Sequence, residues 1–141
     1  MALTEADFEA IARSAHSSYL NFRGLPPGAW EDLTARQQAS NLDSARFAPT
    51  ILAALGLRVD RGDDPGRRRE LTAEEVEAGA RLEHLRWCRF TRASGRIEHP
   101  DLIPWDGLDE FVRDLDRIRI RPLPGLLHDL GYSLMETTSA R

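Results

Sequence analysis

The sequence predicts an all-α fold in which two helical-hairpin repeats, related by a pseudo-twofold axis, form one compact domain. The first observation is an internal repeat. Residues 3–22 match residues 71–90 with eight identities in 20, and residues 30–56 match residues 105–131 with seven in 27. Average residue usage would give about one or two matches in each stretch. The second observation is helical periodicity in both copies, which we expect to bury their apolar faces against each other.

The first helix of each copy is predicted by a capping signal followed by an apolar stripe. Thr4 and Thr72 each stand three residues before a carboxylate, the spacing of a capping box. We expect helices over residues 4–22 and 72–94, because apolar side chains then recur every three or four residues. The predicted stripes comprise Phe8, Ile11, Ala12, Ala15, Tyr19 and Phe22 in the first copy, and Val76, Gly79, Ala80, Trp87 and Phe90 in the second.

The second helix of each copy follows a tryptophan. Thr34 is expected to begin one of these helices and Asp109 the other. Pro49 and Pro124 lie midway, and a proline there removes a backbone hydrogen bond. We therefore expect a kink or a restart of the helix at both prolines.

Both second helices are expected to end at a Leu-Gly dipeptide. Gly56 and Gly131 supply the residue that most readily adopts the left-handed C-cap conformation. Residues 117–121, Arg-Ile-Arg-Ile-Arg, alternate as in a strand. We interpret them as helical because the matching residues 42–46 do not alternate.

A polar segment separates the copies. Repeat one is assigned to residues 3–57 and repeat two to residues 71–132, within a single domain of residues 1–133. Residues 58–70 are rich in Gly, Asp and Arg and are expected to form a solvated linker. Residues 133–141 have low hydrophobicity and are expected to fray.

Composition restricts the classes of partner. The 141 residues carry a net charge of −4, which gives no electrostatic case for nucleic acid. No apolar run approaches the roughly 18 residues of a membrane span, and the N-terminus has no signal-peptide pattern. The single cysteine, Cys88, is typical of a reducing compartment. We expect a cytoplasmic protein.

The sequence offers little for catalysis or metal binding. All 19 basic residues are arginine, so covalent catalysis by lysine is excluded. The four histidines, His16, His84, His99 and His128, lack metal-ligand spacing, and no phosphate loop or nucleophile elbow is present. We predict a non-enzymatic protein without a metal or cofactor.

Two aromatic residues are candidates for a ligand site. Tyr19 and Trp87 occupy equivalent positions on the apolar stripes of the two copies. One interpretation is core packing. The other is a stacking pair that holds a flat ring between the repeats, since every nucleobase offers a face to an aromatic side chain.

Glu83 is the exceptional residue of its stripe, because Ala15 fills the same position in the first copy. A buried carboxylate needs a partner. That partner is either an arginine, such as Arg13 or Arg81, or an amine or hydroxyl of a bound ligand.

The remaining candidates are histidines and arginines on the same helices. His16 and His84 precede the two aromatic residues by one turn and are either structural or ligand-binding. Arg13, Arg81 and Arg86 are either solvated and ion-paired, or directed at a phosphate group, which guanidinium binds well.

Several motifs resemble the ryanodine receptor repeat domain family. They are Leu-Glu-His-Leu-Arg-Trp at residues 82–87, His-Pro-Asp-Leu-Ile-Pro-Trp-Asp at 99–106, Asp-Arg at 116–117, and Pro124 with Gly131-Tyr132. The first copy resembles a diverged repeat, and the similarity spans about residues 8–132. The Gly-Trp-x-Tyr-Gly tract of the family is reduced here to residues 95–98.

This resemblance implies a bacterial member with paired all-α repeats. It further implies an adenine-nucleotide site between the repeats, with the ligand stacked on the aromatic residues that match Tyr19 and Trp87. Bacterial relatives occur beside defence and signalling proteins, which implies a sensor for nucleotide-derived messengers. The predicted ligand-binding residues are Tyr19, Trp87, Glu83, His16, His84, Arg13, Arg81 and Arg86. The alternative is a protein-interaction or assembly module without a small ligand. The candidate protein partners are a second copy of this chain and an effector protein.

Overall fold

The structure, a computed structural model, describes residues 3–62 and 69–137. Its helices and strands, in chain order, are α1 (Glu5–Phe22), α2 (Ala35–Ala54), β1 (Leu57–Arg61), α3 (Ala73–Ala93), α4 (Glu110–Ile120), α5 (Leu123–Asp129) and β2 (Tyr132–Glu136). A 3-10 turn precedes α2 at Trp30–Asp32 and α4 at Trp105–Gly107. The described domain is compact and mostly helical, as the sequence predicted.

The all-α prediction is corrected by a small antiparallel sheet. Strands β1 and β2 pair with Leu57 opposite Glu136 and Arg61 opposite Tyr132. Their side chains alternate, so that Leu57, Tyr132 and Leu134 are buried. Each strand directly follows the glycine that ends a helix, and the sheet therefore joins the ends of the two copies.

The sheet also changes two assignments at the edges of the repeats. Residues 58–61 were expected in a solvated linker and residues 133–136 in a frayed tail, but both segments are strands. Each is short and polar, and only pairing with the other satisfies its backbone groups. Residues 63–68 of the predicted linker and residues 138–141 of the predicted tail lie outside the described residues.

Helix starts follow the predicted capping signals. The side chains of Thr4, Thr34 and Thr72 each accept a hydrogen bond from the backbone N–H three residues later, at 3.1 Å, in complete capping boxes. Helices α1 and α3 begin one residue after the predicted N-cap. Asp109 precedes α4 as expected, but its side chain makes no capping hydrogen bond.

The two prolines have different effects. Helix α2 runs unbroken past Pro49, so the expected restart does not occur there. Pro124 lies in the first turn of α5, where proline is tolerated, and the expected restart is confirmed. Gly56 and Gly131 have φ angles of 80° and 92°, which confirms the left-handed C-caps. Residues 117–120 belong to α4, as predicted.

The core lies where the helices cross. Helix α1 packs on α2 and α4, and α3 packs on α4 and α2. Gly79 permits the close approach of α3, since a Cβ atom there would lie 2.8 Å from Cγ2 of Ile120. Tyr132 ties β2 to the start of α1 by donating a 2.6 Å hydrogen bond to Asp7. Within the described ranges, no helix combines the length and apolar character needed to cross a bilayer.

Candidate ligand-binding cleft

Helices α1 to α4 surround three adjoining cavities, which together we name the cleft. The inner chamber holds about 260 Å³, the middle chamber about 190 Å³ and the outer chamber about 250 Å³. Tyr19, Trp87 and Arg119 line both the inner and middle chambers. Gln37, Ser40 and Trp87 line both the middle and outer chambers. Trp87 therefore borders all three.

The structure brings Tyr19 and Trp87 to the same cavities, and each ring has a neighbour. The Arg23 guanidinium lies 5.6 Å from the centre of the Tyr19 ring. His84 stacks on Trp87 with ring centres 5.9 Å apart and an interplanar angle of 18°. Among the described residues, no ring contact joins Tyr19 to Trp87. The rings thus line a shared space without packing on each other.

Arg119 on α4 is a residue of the cleft that the sequence analysis missed. Its Nη2 atom donates a 2.6 Å hydrogen bond to Oδ1 of Asn41. Its Nη1 atom is buried, and no acceptor of residues 3–62 or 69–137 lies within hydrogen-bonding reach. Burial lowers the pKa of this guanidinium. An incompletely paired buried cation favours an anionic or strongly accepting partner.

Asp116 stands three residues before Arg119 on α4 and is the second cleft residue that the sequence did not indicate. Its carboxyl is buried in the inner chamber, and Oδ2 lies 3.8 Å from Nδ1 of His84. Burial, reinforced by the negative charge of Glu83, raises the pKa of Asp116 to about 8. At neutral pH this group is therefore mostly a protonated acid, able to donate a hydrogen bond into the chamber.

The two predicted histidines both line the cleft. His16 is buried and lines the middle chamber, whereas His84 lines the inner chamber. Nε2 of His84 lies 2.7 Å from the carbonyl oxygen of Ile103. Because a carbonyl only accepts, Nε2 carries the proton and Nδ1 is directed at Asp116.

Glu83 is a buried ion-pair partner, but of Arg86 rather than of Arg13 or Arg81. Arg86 Nη2 donates to Glu83 at 2.8 Å, and its Nε contacts both carboxylate oxygens at 3.1 Å. Ser44 adds a 3.0 Å hydrogen bond to the same carboxylate. Burial lowers the pKa of Arg86, yet Glu83 and a second carboxylate outweigh this effect, and the net shift is upward. These contacts favour the structural interpretation of Glu83.

Arg13 and Arg81 lie outside the cleft. Arg13 is 3.4 Å from Glu31, and Arg81 is 3.3 Å from Asp106. Each guanidinium also covers the tryptophan that heads the second helix of its own repeat, at 5.4 and 5.7 Å from the ring. The structure therefore does not bring these arginines together as a phosphate clamp.

Two further observations concern metal binding and the thiol of Cys88. In the part of the chain that the structure describes, no group of three His, Cys, Asp or Glu side chains is arranged to hold a metal ion. Cys88 is buried beside His84, with Sγ 3.4 Å from Nε2, and burial raises the pKa of its thiol.

Neither a protein-family model nor a curated protein matches this chain.

Proposed function

We propose that this protein binds a small nucleotide-like ligand, an adenine nucleotide or a nucleotide-derived second messenger, without chemical turnover. One observation carries the proposal: Tyr19, Trp87 and Arg119 line the same two chambers, and the Nη1 atom of Arg119 is buried without an acceptor among the described residues. A nucleobase supplies a face for the aromatic rings. A phosphate or a ring acceptor supplies a partner for the guanidinium.

The chambers fit this ligand class in size and chemistry. Sites for small molecules usually hold roughly 300–1,000 Å³, a range that two adjoining chambers of this cleft reach. The protonated Asp116 offers a donor, and Asn41 and Ser40 offer further polar groups. Purine edges carry both donors and acceptors.

We further propose that the repeats are related by a pseudo-twofold axis, as in the ryanodine receptor repeat domains that the sequence resembles. The sheet register supports this relation, because the central pair, Val59 and Leu134, consists of matching residues of the two copies. The helix packing is also symmetric, because the first helix of each repeat packs on the second helix of the other: α1 packs on α4, and α3 packs on α2. An interface of this kind presents equivalent residues to a shared cleft. The proposed setting is a cytoplasmic sensor that acts through a partner effector protein.

Calorimetry with adenosine, AMP, ADP and cyclic AMP tests the proposal. Trp87→Ala should lower the affinity about ten- to a hundredfold, since one stacking face is worth about 1–3 kcal/mol. Phe111→Ala is the matched control, because Phe111 is 49% exposed and does not line the chambers. Equal losses in both variants, or no heat from the unmodified protein, would refute nucleotide binding at this cleft.

The alternative is a protein-interaction or assembly module. It is favoured by large apolar side chains that remain exposed, namely Leu25, Leu85, Ile97, Ile103 and Phe111. Sedimentation velocity over a hundredfold range of concentration distinguishes a homodimer from a monomer. Self-association that Leu85→Ser abolishes, together with an absence of nucleotide binding, would establish this function instead.

A further inference from the structure

The outer chamber differs in charge from the rest of the cleft. Its lining contains two arginines, Arg36 and Arg96, together with hydroxyl and aromatic side chains, and contains no carboxylate. Arg36 donates a 3.1 Å hydrogen bond to the hydroxyl of Ser94, which is neutral. In the described part of the chain, neither guanidinium has a carboxylate within 4.0 Å. Both positive charges therefore remain available to an anion.

The inner chamber has a different lining. Three carboxyl groups line it, from Glu83, Asp101 and Asp116, together with the Arg119 guanidinium. Glu83 is paired with Arg86, and Asp116 is mostly protonated at neutral pH, so this chamber offers hydrogen-bond donors and acceptors of the kind that a base edge uses. Both chambers adjoin the middle chamber, and Trp87 lines all three.

We propose that the ligand extends from the inner to the outer chamber and carries a diphosphate group that binds between Arg36 and Arg96. The inference rests on the proposed function and deepens it, because it orients the ligand and specifies its class. The base lies toward the inner chamber, beside Arg119, which lines the inner and middle chambers. Each of the two guanidinium groups can pair with one phosphoryl group of a diphosphate, whereas a phosphate monoester presents only one such group.

The test compares adenosine, AMP and ADP on the unmodified protein and on the double variant Arg36→Gln/Arg96→Gln. Arg89→Gln is the matched control, because Arg89 is exposed on α3 and does not line the outer chamber. We expect the double variant to bind ADP at least about tenfold more weakly and to bind adenosine unchanged. Raising the salt concentration should weaken ADP binding more in the unmodified protein than in the double variant.

Two outcomes separate the inference from the proposed function. If the double variant binds both ADP and adenosine as the unmodified protein does, the diphosphate site is refuted and the nucleotide cleft stands. If the unmodified protein binds none of the three, both proposals fail. Inorganic pyrophosphate is the fourth probe. Pyrophosphate binding that the arginine substitutions remove, without any adenosine binding, would refute the oriented nucleotide, because the anion alone would be the ligand.

Discussion

Asp116→Asn replaces a carboxyl group whose pKa the fold raises strongly by a side chain that does not titrate. Asp116 is buried on α4 and faces the carboxylates of Glu83 and Asp101, the ring of His84 and the guanidinium of Arg119. Burial raises its pKa from an ordinary value of 3.8 to about 8. Asparagine is a neutral side chain of the same shape, and so it imitates the protonated acid at every pH.

The sign of the effect follows from the raised pKa. The folded protein holds this proton more tightly than the unfolded chain does, so its stabilising contribution is complete below about pH 4 and is lost as the pH rises through about 8. One proton is worth at most about 1.4 kcal/mol for each pH unit, or about 6 kcal/mol over the whole window. Because local relaxation and water entry reduce such penalties, we expect about 2–4 kcal/mol.

Urea unfolding of both proteins at pH 4.5, 6, 7.5 and 9 measures this contribution. The free energy of unfolding of Asp116→Asn minus that of the unmodified protein should rise with pH and level off above about pH 8. Other titrating groups are common to both proteins and cancel in the difference. If the difference in the free energy of unfolding stays constant from pH 4.5 to 9, Asp116 titrates normally. This result would refute the interpretation of Asp116 as a buried, protonated hydrogen-bond donor.

Two further substitutions test the fold. Gly131→Val should lower the free energy of unfolding, measured in urea, by about 1 kcal/mol or more, because φ is 92° there. No neighbouring atom would clash with the added side chain, so the cost comes from the backbone conformation alone. An unchanged stability would contradict the C-cap. Glu83→Gln should cost about 3–5 kcal/mol with or without nucleotide, because it leaves the buried Arg86 poorly compensated. Asp106→Asn, which breaks the exposed pair with Arg81, is its control and should cost under about 1 kcal/mol; equal losses would disprove the buried pair.

Features that depend on neighbours along the chain were predictable from the sequence. The three threonine caps, the glycine C-caps and the spans of α1 and α3 each rest on residues a few positions apart. The equivalence of Tyr19 and Trp87 was also predictable, because it follows from the internal sequence repeat alone. Both residues do line one cleft.

Features that depend on distant residues were decided by the tertiary structure alone. Strands β1 and β2 are stable only as a pair, and about 70 residues separate them. The alternating arginines of residues 117–121 give no sign that Arg119 faces inward while Arg117 binds surface carboxylates, because that choice depends on where α4 packs. Glu83 likewise required a partner on chemical grounds. Arg86 stands three residues later on the same helix, so the spacing along the chain could have indicated this pair. The crossing of α2 and α3 decided only that the pair is buried, with Ser44 bound to Glu83 and Asp43 bound to Arg86.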